Sequence, residues 1–327
     1  MFSGDARAFW VCAPGHGELR DTRIEPANEG EVLVRTRFSG ISRGTEMLVF
    51  RGKVPADQYP LMRAPFQDGE FPGPVKYGYL NVGVVEEGTA DLLGRTVFCL
   101  YPHQTHYVVP ATDVVAVPDD VPPERAVLAG AVETAVNALW DAPALIGDHV
   151  TVVGAGMIGC CVARLLARVP EVSVTLVDVD VSRATVAAAL GVGFATPKEA
   201  PRDQDRVFHA SATASGLQLA LQLLRTEGEV IELSWYGDTE VSLPLGHAFH
   251  SQRLAIRSSQ VGRVAPARRA SRTHADRRGL ALHLLRDEAF DVLLTGRSDF
   301  DHLPETMAQI AAGSLPGLCH VITYEKD

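Results

Sequence analysis

Apolar positions along the chain fall into two regimes. Over residues 7–13, 31–38, 79–86, 96–100 and 105–117 they come in short runs broken by clusters of Gly, Pro and Asp. Runs of this length and spacing mark strands, and a series of them predicts a compact barrel or sandwich. After Asp119-Asp-Val-Pro-Pro123, whose prolines suit a first helical turn, the pattern predicts a helix over 124–140. From Val150 onward, apolar strand patterns at 150–153, 172–177, 206–210, 229–233 and 254–258 alternate with helical ones at 157–168, 182–190 and 215–225. That alternation predicts an α/β unit, a doubly wound parallel sheet with helices on both faces. Beyond Gly262 the chain turns arginine-rich and helical. It then offers an extended 290–294, a helix over 304–312 and a last strand over 318–324. The open sheet is complete by that point, so these segments are expected to return to the first domain.

The second regime opens on Val150-Thr-Val-Val-Gly-Ala-Gly-Met-Ile-Gly159 and runs through an apolar helix to Val172-Ser-Val-Thr-Leu-Val-Asp178. Gly154 permits a tight turn, Gly156 lets backbone approach a pyrophosphate, and Gly159 lets the helix pack closely on its strand. The helix start at Met157 and Ile158 presents N–H groups and a positive dipole end to phosphate. Asp178 stands roughly 20 residues on, where the fingerprint calls for a carboxylate that accepts ribose hydroxyls. It would repel a 2′-phosphate, and Val179-Asp180 places no cation beside it. Arg183, on the following helix, is expected at the surface. The motif therefore predicts a dinucleotide site that prefers NAD(H) to NADP(H).

Composition narrows the function further. A net charge of −10 argues against a general nucleic-acid or anionic-membrane binder. The five cysteines show no metal-ligand spacing, no apolar run is long enough to cross a membrane, and the N-terminus is no signal peptide, so a soluble cytoplasmic enzyme is expected. Six arginines between Arg263 and Arg278 suggest a solvated helix face.

The order of barrel, inserted dinucleotide unit and C-terminal return resembles the medium-chain dehydrogenase/reductase superfamily of zinc-type alcohol dehydrogenases. Ser39-Gly-Ile-Ser-Arg-Gly-Thr-Glu46 resembles its Gly-Ile-Cys segment, and Gly78-Tyr-Leu-Asn-Val-Gly83 its Gly-His-Glu-x-x-Gly motif. Leu128–Leu139, with Glu133, falls where that family has its domain-linking helix, and Gly154–Gly159 matches its cofactor fingerprint. The resemblance implies a GroES-like β-barrel catalytic domain over 1–124 and 265–327 and a Rossmann NAD-binding domain over 125–264. It also marks departures. Ser42 stands at the cysteine ligand position, Tyr79 at the histidine and Leu80 at the glutamate, and the four-cysteine zinc lobe is missing. Zinc requires about three protein ligands at a catalytic centre, so no zinc is expected. The Gly-Ile-Ser-x-Gly-Thr-Glu wording is similar to zinc-lacking members such as bacteriochlorophyllide a dehydrogenase, which acts on a secondary alcohol.

Without a metal, protein groups must stabilise the oxyanion and carry the proton. Thr45, Tyr79, His103 and Glu133 are the candidates. Thr45 falls near the family's hydroxyl relay and Tyr79 at its ligand position. His103 lies in a loop after Pro102. Glu133, on an apolar helix, is expected to be functional or to pair with Arg43 or His103. Turn-forming roles for Ser42 and Thr45, and a helix N-terminal role for Glu46, stand beside that reading. By the same resemblance Arg43 would touch the pyrophosphate. Ser259 and Gln260 would hold the carboxamide, and Ser42, Tyr101, Trp235 and Tyr236 would line a substrate pocket. The expected activity is hydride transfer between nicotinamide and a small alcohol or carbonyl, in a protein that the family likeness makes a homodimer. Reduction of activated C=C bonds in quinones or enones, and non-catalytic NAD(H) binding, are the alternatives.

Overall fold

The computed structural model describes residues 4–324. The chain forms two compact units, each assembled from separate segments. The first takes the residues up to Gly130, Leu282–Arg286 and those from Leu294 on; the second takes Ala131–Ala281 and Asp287–Leu293. The sequence reading gave 125–264 to the second domain; here residues 125–130 lie in the first unit and 265–281 in the second. Arg277 supplies the reason. Its guanidinium is buried in the second unit against Glu133 and Asn137.

In the first unit, strand Glu31–Ile41 organises a larger sheet. It pairs with Cys319–Thr323, Asn81–Glu87 and His106–Pro110, all antiparallel. Val32, Leu33 and Val34 are buried in succession, so both faces of this strand are covered. Leu294–Asp299, Thr96–Cys99 and Val114–Ala116 extend the sheet. A smaller sheet joins His16–Arg23, Asp5–Ala13, Val75–Lys76 and Asp68–Gly69. His16–Arg23 escapes sequence reading because it is a polar strand whose one large apolar residue is Leu19. The run read as one strand over 105–117 is two, divided at Pro110 by a 3-10 turn at Ala111–Asp113. Of residues 290–294, only Leu294 is extended. Glu288–Leu293 is a 3-10 turn, and its three-residue repeat turns Phe290 and Leu293 inward together.

The second unit is a six-stranded, wholly parallel sheet. Its spatial order is Gly193–Ala195, Ser173–Val177, His149–Val153, Gln204–His209, Leu224–Glu232 and Ala255–Ser258. Val150, Thr151, Val152 and Val153 are all buried, as expected of a central parallel strand covered on both faces. The strand order reverses between His149–Val153 and Gln204–His209. That switch point opens a crevice at the carboxyl ends of the strands, where doubly wound sheets bind ligands.

Candidate active site

The glycine turn of the second unit has the geometry its sequence predicts. Gly154 adopts φ +106°, and a Cβ there would lie 2.7 Å from the Ser211 backbone nitrogen. A Cβ on Gly159 would lie 1.9 Å from the Gly154 carbonyl oxygen, so the helix Met157–Leu166 reaches the strand only because this position is bare. Gly156 is different. It caps the helix in extended conformation, and a Cβ there would meet nothing within 4 Å. The space in front of the helix N-terminus is therefore open, as a diphosphate requires. Met157 is buried beneath it and Ile158 half-buried.

Asp178 is tied to this turn. One carboxylate oxygen accepts from Ala155 N at 2.7 Å and the other from Asp180 N at 2.9 Å. Each retains a lone pair for a ligand hydroxyl. Arg183 lies 3.2 Å from the Asp180 carboxylate, so an ion pair engages the nearest cation. Glycine turn, open helix start and anchored carboxylate together fit a dinucleotide.

The first unit gathers a second set of groups. Ser42 follows the central strand and Thr45 starts the short helix Thr45–Phe50. Tyr79 stands near enough to both that their hydroxyls bear on its phenol. Burial first, and then the Glu46 charge, push the Tyr79 phenol well above its ordinary value, so it remains a donor at neutral pH. Glu46 is almost wholly buried. Its carboxylate accepts from Ser42 N at 2.8 Å and lies 2.9 Å from His103 Nε2. His103 Nδ1 is 2.7 Å from Ser39 Oγ, which is 2.8 Å from the Tyr324 hydroxyl. A carboxylate only accepts, so Nε2 is the His103 donor to Glu46, and in that tautomer Nδ1 accepts. The chain then runs in one sense, from Tyr324 O–H through Ser39 O–H and His103 to Glu46. Gly78 makes room for it, since a Cβ there would stand 3.0 Å from the His103 ring.

The structure thus brings Ser42, Thr45, Tyr79 and His103 together, and it adds Glu46, Ser39 and Tyr324. The other sequence candidates have other partners. Glu133 lies 3.1 Å from Arg277 Nε, both side chains almost fully buried, and His103 is held by Glu46. The expected pairing of Glu133 with Arg43 or His103 is replaced accordingly. Arg43 donates to the Leu315 carbonyl at 2.6 Å. Tyr101 stacks on Tyr107 at 3.9 Å within an apolar cluster of the first unit. Ser259 Oγ donates to Asp141 at 2.6 Å, Gln260 is exposed with its carbonyl 3.4 Å from Asn137 Nδ2, and Trp235 is half-buried. The Tyr236 hydroxyl donates to Glu232 at 2.9 Å. The arginine run is exposed except at Arg278, which is half-buried, and at Arg277, one of the largest fully buried side chains. Glu46 was visible in sequence only as a helix-start carboxylate. Ser39 and Tyr324 carried no signal, because 285 residues separate them.

No family model matches the chain, and no curated protein sequence matches it. Solved structures do. A short chain alcohol dehydrogenase from Escherichia coli CFT073, complexed with NADH, aligns over 98% of this chain and 100% of its own at 17% identity and TM-score 0.78. L-idonate 5-dehydrogenase from Escherichia coli aligns over 98% of each chain at 15% identity and TM-score 0.79. Galactitol-1-phosphate dehydrogenase from Escherichia coli aligns over 97% and 99% at 16% identity and TM-score 0.78. The chain has the alcohol dehydrogenase fold. Within that fold the positions that resemble metal ligands hold Ser42, Tyr79 and Leu80, a set that does not fit zinc. Among the described residues, no group of three or more His, Cys, Asp or Glu side chains could hold a metal ion, and no helix is long and apolar enough to cross a membrane.

Proposed function

We propose that this protein is a nicotinamide-dependent dehydrogenase or reductase, NAD(H)-preferring and zinc-independent, acting on an alcohol or its carbonyl counterpart. The observation that carries the reading is the glycine turn: open space before Gly156, with Asp178 anchored at the neighbouring strand end. The solved structures of this fold include an alcohol dehydrogenase complexed with NADH, which supports it. Bound nicotinamide supplies a hydride acceptor or donor. The chain's own groups do the rest. The Met157 helix start would bind phosphate, and Asp178 would accept from ribose hydroxyls and repel a 2′-phosphate. Tyr79, with Ser42 and Thr45, would donate hydrogen bonds to the substrate oxygen as charge develops on it. The pair Glu46–His103 would take up or return the proton at His103, with Ser39 and Tyr324 continuing the path.

Titration of the purified protein with NADH and NADPH, followed by Trp235 fluorescence, tests the cofactor claim. Saturable binding that prefers NADH is expected, and failure of folded protein to bind either would end the reading. A turnover screen of secondary alcohols against conjugated enones then decides between the two chemistries. Turnover confined to enones would replace alcohol oxidation with C=C reduction.

A further inference from the structure

At the crevice of the parallel sheet lies a polar cluster of which the sequence reading gave a role to Tyr236 alone. His209 ends its strand fully buried, with Nδ1 2.7 Å from one Glu232 oxygen and 2.9 Å from the other. Its Nε2 is 2.7 Å from Ser211 Oγ, which lies 2.9 Å from Thr213 Oγ1. Glu232 also accepts from Ser234 N at 2.7 Å and from the Tyr236 hydroxyl at 2.9 Å. Burial opposes its charge, but the His209 and Ser234 hydrogen bonds prevail and hold the carboxyl below its ordinary value. The cluster abuts the glycine turn, because the Ser211 backbone nitrogen is the atom that a Cβ on Gly154 would strike. Gly216 is shaped around it as well, since a Cβ there would lie 2.2 Å from Ser211 Oγ and 2.7 Å from His209 Nε2.

These contacts fix a hydrogen-bond polarity. Glu232, ionised, can only accept; the imidazole tautomer that answers it carries its proton on Nδ1 and keeps a lone pair at Nε2. The Ser211 hydroxyl proton fills that lone pair. What Ser211, half-buried, has left to offer a ligand is acceptor capacity alone. Phosphate oxygens, themselves acceptors, gain nothing from it, whereas ribose hydroxyls are donors. We propose that Ser211 is a cofactor-contacting residue that accepts a hydrogen bond from a ribose hydroxyl of the bound dinucleotide, with His209 and Glu232 as positioning residues that set its polarity. The proposal rests on the dinucleotide reading above.

The test is NADH affinity, read by fluorescence titration, in variants whose melting temperatures are checked alongside. Ser211→Ala is expected to weaken NADH binding about tenfold in protein that remains folded, with the modest fall in melting temperature that loss of its bond to His209 brings, and Ser211→Thr to stay within about twofold of the parent, as loss or retention of one hydrogen bond to a ligand implies. Glu232→Gln is the sharper variant. An amide can donate to His209 Nδ1, which moves the imidazole proton to Nε2 and turns the Ser211 hydroxyl proton outward. It is expected to weaken NADH as much as Ser211→Ala, while Glu232→Asp, which keeps a carboxylate, recovers most of the affinity. Parent-like NADH affinity in folded Ser211→Ala or Glu232→Gln protein would overturn the proposal and leave the dinucleotide reading intact. Failure of the parent protein to bind NADH would overturn both.

Discussion

His103 Nε2 stands 2.9 Å from the Glu46 carboxylate, and both side chains are closed to solvent. Removing Glu46 leaves the buried His103 Nε2–H without an acceptor, at a cost of ~1–3 kcal/mol. Glu46→Ala also deprives Ser42 N of its acceptor. It is expected to lower the unfolding free energy by at least that amount and to abolish turnover. His103→Ala in the same background should cost much less than it does alone, and a double-mutant cycle by urea unfolding measures the difference.

Tyr324 closes the far end of that chain through Ser39, and its ring stacks on Phe300 at 4.6 Å. Tyr324→Phe keeps the stack and removes the hydroxyl. Stability should fall by about 1 kcal/mol, as for one lost hydrogen bond. The turnover number should fall while NADH affinity stays at the parent value; equal loss in both would place Tyr324 outside the proton path.

Gly156 and Gly159 stand three residues apart and should respond to alanine in opposite ways. In Gly159→Ala the methyl collides with the Gly154 carbonyl, and overpacking of this kind costs ~3 kcal/mol. Gly156→Ala meets no protein atom, so its melting temperature should match the parent. Its methyl would occupy the space reserved for diphosphate, so NADH affinity should fall at least tenfold. Melting curves with and without NADH separate the two cases.

Asp178→Ser exchanges a carboxylate for a hydroxyl beside the turn. The charged acceptor is worth ~1.5–3 kcal/mol. NADH should therefore bind tenfold or more weakly, while NADPH, relieved of repulsion, should bind more tightly than to the parent.

Acid should unfold the protein in part through His320. Burial and then the Arg43 charge hold its imidazole below the ordinary value, and burial does the same at His106. A group with a depressed folded-state pKa stabilises above its unfolded value, about 6.5 for histidine, and loses that contribution as pH falls through the folded value. The urea midpoint should decline as pH drops below 6.5. His320→Gln, which can keep a bond to Ser298, should flatten that decline without removing it.

The glycine turn and its carboxylate were legible because their chemistry is local: bare positions, a helix start and a strand end lie within a short stretch. Most parallel strands were legible for a similar reason, since apolar residues on both faces leave continuous runs. The proton-handling groups were not. His103 was singled out, but its partners are contributed by strands and a short helix far along the chain, and nothing near residue 103 specifies Glu46 or Tyr324. His209 and Glu232 end neighbouring strands and meet only through the register of the sheet. Glu133 was rightly suspected of needing a partner, but Arg277 lay inside a run whose polarity read as solvated. One buried cation among exposed ones leaves no compositional trace.

The strand Cys319–Thr323 sits inside its sheet, between Leu294–Asp299 and Glu31–Ile41. A ribosome making this protein therefore releases the parallel-sheet segments through Ala281 before the first unit has the strand that its opening segments await. The middle of the chain can fold while synthesis continues, and the beginning must wait for the end. During that interval residues 38–41 of Glu31–Ile41 have an open edge, so a stalled or shortened product would carry an unpaired strand end and be marked for aggregation or degradation rather than for partial activity.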